Sequence, residues 1–255
     1  KSFTIKENTI KGVEYDLRSF CLYLKDPELE TISWQEIKEY LDRMTSLGWD
    51  QNTFVRKLNA FKKFFEYWNR KDPKFLDPDW IPQVRQQIRP PRIIDEVSYN
   101  KILNVVGKTT SDIRNLALLN LLWDTGARRG EILNLNVKDL NLETKKAVIR
   151  TEKAKWVRPF REIFWTEQTN LNLVIWLEKL KKWKSYGRIK DSEALFIATK
   201  GQHTGERIGP DAVGSMLKAY CVKAKIAVFN AHSFRHHMGH DIIEKGGSNA
   251  DVAGV

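Results

Sequence analysis

Apolar residues recur at helical spacing through the first seventy positions. Residues 9–24 place Ile10, Val13, Leu17, Phe20, Cys21 and Leu24 along one stripe. Ser33-Trp34-Gln35-Glu36 has the spacing of a capping box, in which the serine hydroxyl and the glutamate carboxylate each take a free N–H at a helix start. Behind it Trp34, Ile37, Leu41 and Met44 form the next stripe, and Gly48 is the stop. Residues 53–68 put Phe54, Leu58, Phe61, Phe65 and Trp68 on one face and Arg56, Lys57, Lys62 and Lys63 towards the other. The pattern predicts a small all-helical domain over residues 1–71. The basic edge of its last helix suits a phosphate backbone; a solvated face is the plainer reading.

Five of the eight prolines, Pro73, Pro78, Pro82, Pro90 and Pro91, then fall close together. Proline cannot continue a helix and favours extended backbone before it, so residues 72–92 read as an inter-domain linker. Arg85, Arg89 and Arg92 make that linker basic. The second domain, 93–255, opens with helices over 95–106 and 111–123, the latter carrying Ile113, Leu116, Leu119 and Leu122, with Gly126 as its C-cap. A short helix is expected over Glu131–Leu135. Ala147–Thr151 reads as a strand, with Trp156–Phe160 as its hairpin partner. Further helices are predicted over 167–183, with Leu171, Val174, Leu177 and Leu180 inward, over 210–224, and over His232–Lys245 before Gly246-Gly247. The fold class is mainly α, with an α+β second domain holding a small hairpin or three-stranded sheet.

Charge sharpens this picture. The chain carries 43 basic and 32 acidic residues, a net +11. Residues 1–90 hold 16 basic and 14 acidic side chains, and residues 91–255 hold 27 and 18. The excess in the second part points to a polyanionic partner there. No apolar run approaches membrane-spanning length, so no membrane partner is expected. The opening Lys-Ser-Phe-Thr-Ile-Lys-Glu has no apolar signal core and no initiator methionine, which predicts a processed start and no secretion. Cys21 and Cys221 read as two buried free thiols in a reducing compartment.

Two segments carry the chemistry. Thr125-Gly126-Ala127-Arg128-Arg129-Gly130-Glu131 offers a guanidinium just past a glycine turn with a carboxylate three residues on. Ala231-His232-Ser233-Phe234-Arg235-His236-His237 offers an imidazole and a guanidinium one helical turn apart. Folding that joined them would gather groups suited to one phosphodiester, because arginine donates two bonds to two oxygens and stays charged. His232, His236 and His240 also recur at i, i+4 and i+8, but the outer two are about 12 Å apart on a straight helix, too far to share one metal. No metal and no other cofactor is expected.

These segments resemble the tyrosine recombinase, or phage-type integrase, family. Thr125, Gly126, Arg128, Glu131 and Leu135 match its T-G-x-R-x-x-E-L-x-x-L motif, with Ile132 for the first leucine, and Val137-Lys138-Asp139-Leu140 matches the usual continuation. His232 and Arg235 match its His-x-x-Arg box. The resemblance implies that Arg128 and Arg235 clamp the phosphate, that His232 hydrogen-bonds it or assists proton transfer, and that Glu131 orients its neighbours. His236 matches a structural histidine. A hairpin lysine is implied as general acid: Lys153 is the best match, and Lys155 competes or contacts DNA. The helical domain resembles the family's core-binding domain.

The family's nucleophilic tyrosine follows the box, yet the last of the seven tyrosines is Tyr220. The expectation is therefore a C-terminally truncated form that binds DNA without cleaving it. Complete, it would recombine double-stranded DNA through a 3′-phosphotyrosyl link, as a homotetramer on two DNA sites, in the cytoplasm or nucleoid, or in a nucleus if eukaryotic. A non-catalytic DNA-binding protein on the same scaffold and a type IB topoisomerase are the alternatives.

Overall fold

The computed structural model describes residues 7–73, 75–87, 90–151, 159–191 and 193–254. The chain divides into two compact units, Lys1–Pro90 and Pro91–Val255. In the first, three helices, α1 (Glu7–Tyr23), α2 (Trp34–Ser46) and α3 (Gln51–Asn69), surround one apolar core. The capping box forms as expected. Ser33 donates its backbone N–H to Glu36 at 2.8 Å, and Glu36 returns its own to the Ser33 hydroxyl at 3.4 Å. Phe20, Ile37, Tyr40, Leu41, Leu58, Phe61 and Phe65 fill the interior. Ile10, placed on the inward stripe by periodicity, lies in the first turns of α1 and is exposed.

The proline-rich segment holds to this unit. Leu76 and Ile81 are buried in its core, with Phe75 and Val84 packed against it. The prolines keep the segment out of α-helix, and Pro78 opens a single 3₁₀ turn, Pro78–Trp80.

One basic residue departs from its expected face. Lys57 is 1% exposed, its Nζ 2.9 Å from Asp16 Oδ1 and 4.5 Å from the Trp49 ring centroid. Lys57, Phe61 and Phe65 are spaced by four, so the helix turns all three to the same side. Grouping by charge puts Lys57 with Arg56; grouping by position puts it in the core. Asp16, also 1% exposed, compensates it and takes a second bond from Arg56.

The second unit is mostly helical around a small antiparallel sheet. Its helices are α4 (Glu96–Val105), α5 (Thr110–Thr125), α6 (Arg129–Leu133), α7 (Glu167–Ser185), α8 (Pro210–Lys223), α9 (Ala231–Glu244) and α10 (Asn249–Gly254). The strands β1 (Leu140–Asn141), β2 (Lys146–Arg150) and β3 (Phe160–Phe164) pair in that order. Helix α5 is the centre of the unit. Leu118, Leu119, Leu121 and Leu122 are all fully buried, and α7 and α9 pack against it.

Two expectations shift. The hairpin partner of β2 is Phe160–Phe164, four residues beyond the expected Trp156–Phe160, with Ala147 opposite Ile163 and Ile149 opposite Arg161. Ile163 supplies the buried position that faces Ala147 and the core. Helix α7 buries Leu173, Trp176 and Leu180, whereas Leu171 and Val174 are exposed. Both sets have helical spacing. Trp176 decides between them: it is fully buried, and its indole N–H donates to the Leu195 carbonyl at 2.7 Å.

Candidate active site

The site begins with a helix stop. Gly126 caps α5 in the left-handed region, φ 55° and ψ 14°, and gives its N–H to the Leu122 carbonyl. Thr125 supports the turn by accepting the Ala127 N–H, at 3.2 Å. The chain reverses, and Arg128 becomes the N-cap of α6.

Glu131 then sits at the third position of that helix with its side chain wholly buried. Its Oε2 accepts the Arg128 backbone N–H at 3.0 Å, and its Oε1 accepts Arg128 Nη1 at 2.9 Å. A third bond reaches Oε2 from Arg161 Nη2 on β3, at 3.0 Å. Burial alone would raise the Glu131 pKa. The Arg128 N–H, the Arg128 guanidinium and Arg161 outweigh it and hold the carboxyl below its ordinary value. The far end of α6 is fixed by Arg207, whose Nη1 donates to the carbonyls of Leu133 and Leu135, both at 2.9 Å.

Helix α9 brings the second segment. Asn230 is its cap, accepting the N–H groups of His232 and Ser233 at 2.8 and 3.2 Å. Phe234 is fully buried and edge-on to Tyr99 and Trp123, which orients the helix on the core. One turn past His232, Arg235 donates Nη1 to the Gly126 carbonyl at 3.3 Å. That bond spans 109 positions and closes the two motif segments on each other. Burial lowers the Arg235 pKa, and the positive charges of Arg128 and Arg161 lower it further. Arg128 and Arg161 meet on Glu131, and Arg235 reaches the turn two residues before Arg128, so like charges gather in one region.

His232 is exposed, and the His236 ring meets it edge-on at 4.4 Å between centroids. Together with Arg235, Gly239 and Val252 they line an open depression of about 300 Å³. His237 points elsewhere, stacked on Trp123 at 4.0 Å. Arg129, adjacent to Arg128, donates instead to the Pro210 carbonyl at 3.0 Å.

Arg128, Glu131, His232, Arg235 and His236 are thus brought together. Lys153, Lys155 and Arg89 lie outside the described residues. Arg92 is exposed and donates to the Val228 carbonyl. In the first unit Lys63 and Arg85 are exposed, Arg56 is half exposed on Asp16, and Lys62 is 3.8 Å from Asp79. Lys57, buried in the core, is withdrawn from any surface interface. Arg161 was not anticipated. The sequence does hold a trace of it: in Phe160-Arg161-Glu162-Ile163 the alternation puts Arg161 on the same strand face as Ile163, so a charge points to the core side.

A helical unit followed by a mixed unit, with two arginine-bearing motif segments joined by the bond from Arg235 to the Gly126 carbonyl, is the architecture of the integrase class. Residues 92–254 match the phage integrase family profile, and residues 4–72 match the phage integrase N-terminal SAM-like domain. The chain belongs to the phage integrase family. It is 26% identical over 176 residues to tyrosine recombinase XerD of Haemophilus influenzae, covering 61% of this chain and 58% of that protein. It is 28% identical over 255 residues to TnP I resolvase of Bacillus thuringiensis, covering 97% and 84%. A second XerD, from Oceanobacillus iheyensis, is matched over 48% of its length, so the chain spans about half the length of the XerD relatives. Among solved structures it resembles XerH site-specific recombinase bound to palindromic difH substrate, with a TM-score of 0.71 at 20% identity over 96% of this chain and 70% of that one. It also resembles the Tn1549 transposon integrase in complex with transposon right end DNA, with a TM-score of 0.68 at 17% identity over 98% and 85%.

Proposed function

We propose that this chain carries the DNA-binding and phosphate-activating parts of a site-specific tyrosine recombinase. The observation that carries the reading is the closure of Arg128 and Arg235 onto one region through Glu131 and the Gly126 carbonyl, beside an exposed His232. Two guanidinium groups would hold the non-bridging oxygens of one phosphodiester and stabilise the charge that builds as it is attacked. His232 would hydrogen-bond the same phosphate or assist proton transfer, with His236 bracing its ring.

In the reaction a tyrosine oxygen bonds to phosphorus, its proton passing to a base, the proton-transfer role open to His232, and the bond to the 5′-oxygen breaks. The leaving oxygen takes a proton from the hairpin lysine, Lys153 or its competitor Lys155. The 3′-phosphotyrosyl link conserves the energy of the broken bond, and a partner strand's 5′-hydroxyl reverses the step. Double-stranded DNA is the partner, held by Arg56, Lys62, Lys63, Arg85, Arg89, Arg92 and Lys155. Four protomers would work on two DNA sites. The DNA complexes of XerH and of the Tn1549 integrase support this reading, as does the concentration of positive charge after residue 91.

The test uses the full-length protein and a DNA site it cleaves. Arg128→Ala and Arg235→Ala should each slow cleavage by about 100- to 1,000-fold, the typical loss of one charge-stabilising donor, with DNA affinity nearly unchanged. Cleavage at the parental rate would remove that arginine from the clamp.

A further inference from the structure

Arg161 makes an incomplete ion pair. A guanidinium serving only to neutralise a carboxylate commonly presents two nitrogens to two oxygens. Arg161 gives Glu131 a single contact, Nη2 to Oε2, and its Nε is buried with no acceptor among the described residues. A buried donor left unpaired is costly, and such cases call for a specific explanation. Glu131, for its part, is already bound twice by Arg128.

Charge gives the explanation. Glu131 paired with Arg128 alone would cancel the charge of the arginine closest to it. A second cation on the same carboxylate takes up that negative charge. Among the described residues, three guanidinium groups, Arg128, Arg161 and Arg235, stand with one carboxylate, Glu131, an excess of two positive charges. A phosphodiester brings one negative charge, and the pentacovalent state formed on attack has a second.

We propose that Arg161 is a positioning residue that occupies Glu131 and so leaves the charge of Arg128 available to a bound phosphate. The proposal rests on the function given above for the site, and it assigns Arg161 no contact with DNA. It acts through the carboxylate, so removing the carboxylate should undo the effect of removing Arg161.

Four forms of the full-length protein test this: the parent, Arg161→Ala, Arg161→Lys, and Arg161→Ala combined with Glu131→Gln. Single-turnover DNA cleavage and DNA affinity are measured on each at a temperature where its melting curve shows it folded. Arg161→Ala should cleave about 10- to 100-fold more slowly, the range of coupling between contacting residues, with DNA affinity within about twofold of the parent. Arg161→Lys keeps the charge and should recover most of the rate. The double variant should cleave faster than Arg161→Ala. Binding of inorganic tungstate, a dianionic oxyanion, is measured on the same proteins and should follow the same order. Equal rates for the parent and Arg161→Ala would overturn the proposal. So would a double variant no better than Arg161→Ala, which would make Arg161 a direct phosphate contact or a purely structural one. If the parent cleaves no DNA, the function proposed for the site fails, while the order of tungstate affinities still decides the role of Arg161.

Discussion

The buried pair in the first unit makes a quantitative prediction. Asp16→Ala strands Lys57, whose neighbours among the described residues are then the Tyr40 hydroxyl at 3.4 Å and the rings of Trp49, Tyr40 and Tyr15. Removing one partner of a buried ion pair costs about 3–5 kcal/mol. The aromatic face retains about 1 kcal/mol of attraction for the ammonium, so the lower end applies, about 3 kcal/mol. Lys57→Met is different. Asp16 keeps Arg56, and methionine fills much of the vacated volume among the rings, so the cost should be about 1 kcal/mol. Because the chain has two units, a single melting curve mixes them, and the local readout is hydrogen exchange of peptides from α1 and α3. Exchange limited by opening should quicken by about 100-fold in Asp16→Ala and by about fivefold in Lys57→Met, at roughly tenfold per 1.4 kcal/mol. Equal effects of the two substitutions would show that the ammonium is not confined by Asp16, and the account of the core would be wrong.

Surface charge yields a contrast with that pair. Lys63→Ala and Arg85→Ala should each flatten the slope of log affinity against log salt by about one for a lost phosphate contact, whereas Lys57→Met should leave the slope alone. A slope unmoved by Lys63→Ala removes that residue from the interface. The choice between Lys153 and Lys155 is decided by a DNA substrate whose 5′-bridging oxygen is sulfur, since a thiolate leaves without a proton. The substrate should rescue Lys153→Ala; rescue of Lys155→Ala alone would exchange the two roles. Acid should destabilise the second unit through Glu131. Its folded pKa lies below the ordinary value of about 4.3, so the folded state binds fewer protons than the unfolded one. The stabilisation is complete above that ordinary value and is lost as pH falls through the folded pKa. Urea unfolding of the second unit should show Glu131→Gln less stable than the parent at neutral pH, with the gap narrowing on the acid side; a gap constant down to pH ~3 would contradict it.

Helices defined by one strong stripe could be read directly. The Ser33 box and the Trp34–Ile37–Leu41 stripe define α2, because capping and periodicity agree there. Helix α7 offered two stripes of similar quality, and only the neighbour that receives Trp176 selects between them. β3 was misplaced because its inward positions mix Arg161 with Ile163, so the usual alternation of apolar and polar residues is broken where a charge turns inward. In the site, Gly126 as a helix stop and Asn230-to-Ser233 as a helix start are local chemistry. The meeting of Arg235 with the Gly126 carbonyl is not, since nothing near either residue encodes a partner 109 positions away. The family resemblance named both segments. It did not reveal Arg161, whose part depends on a strand pairing that only the fold supplies.

The bond from Arg235 to the Gly126 carbonyl bears on how such proteins can be recombined in the laboratory. A chimera with its crossover between these positions joins a turn from one parent to a side chain from another. The donor and acceptor must then meet on a backbone that neither parent shaped. Gly126 is held in the left-handed region and its carbonyl direction is set by that geometry, so a small change of turn in one parent would aim the acceptor away. The stretch from Thr125 to Arg235 is therefore best inherited as one block when libraries are assembled from family members. Parents are best matched by the conformation of this turn, ahead of their overall identity.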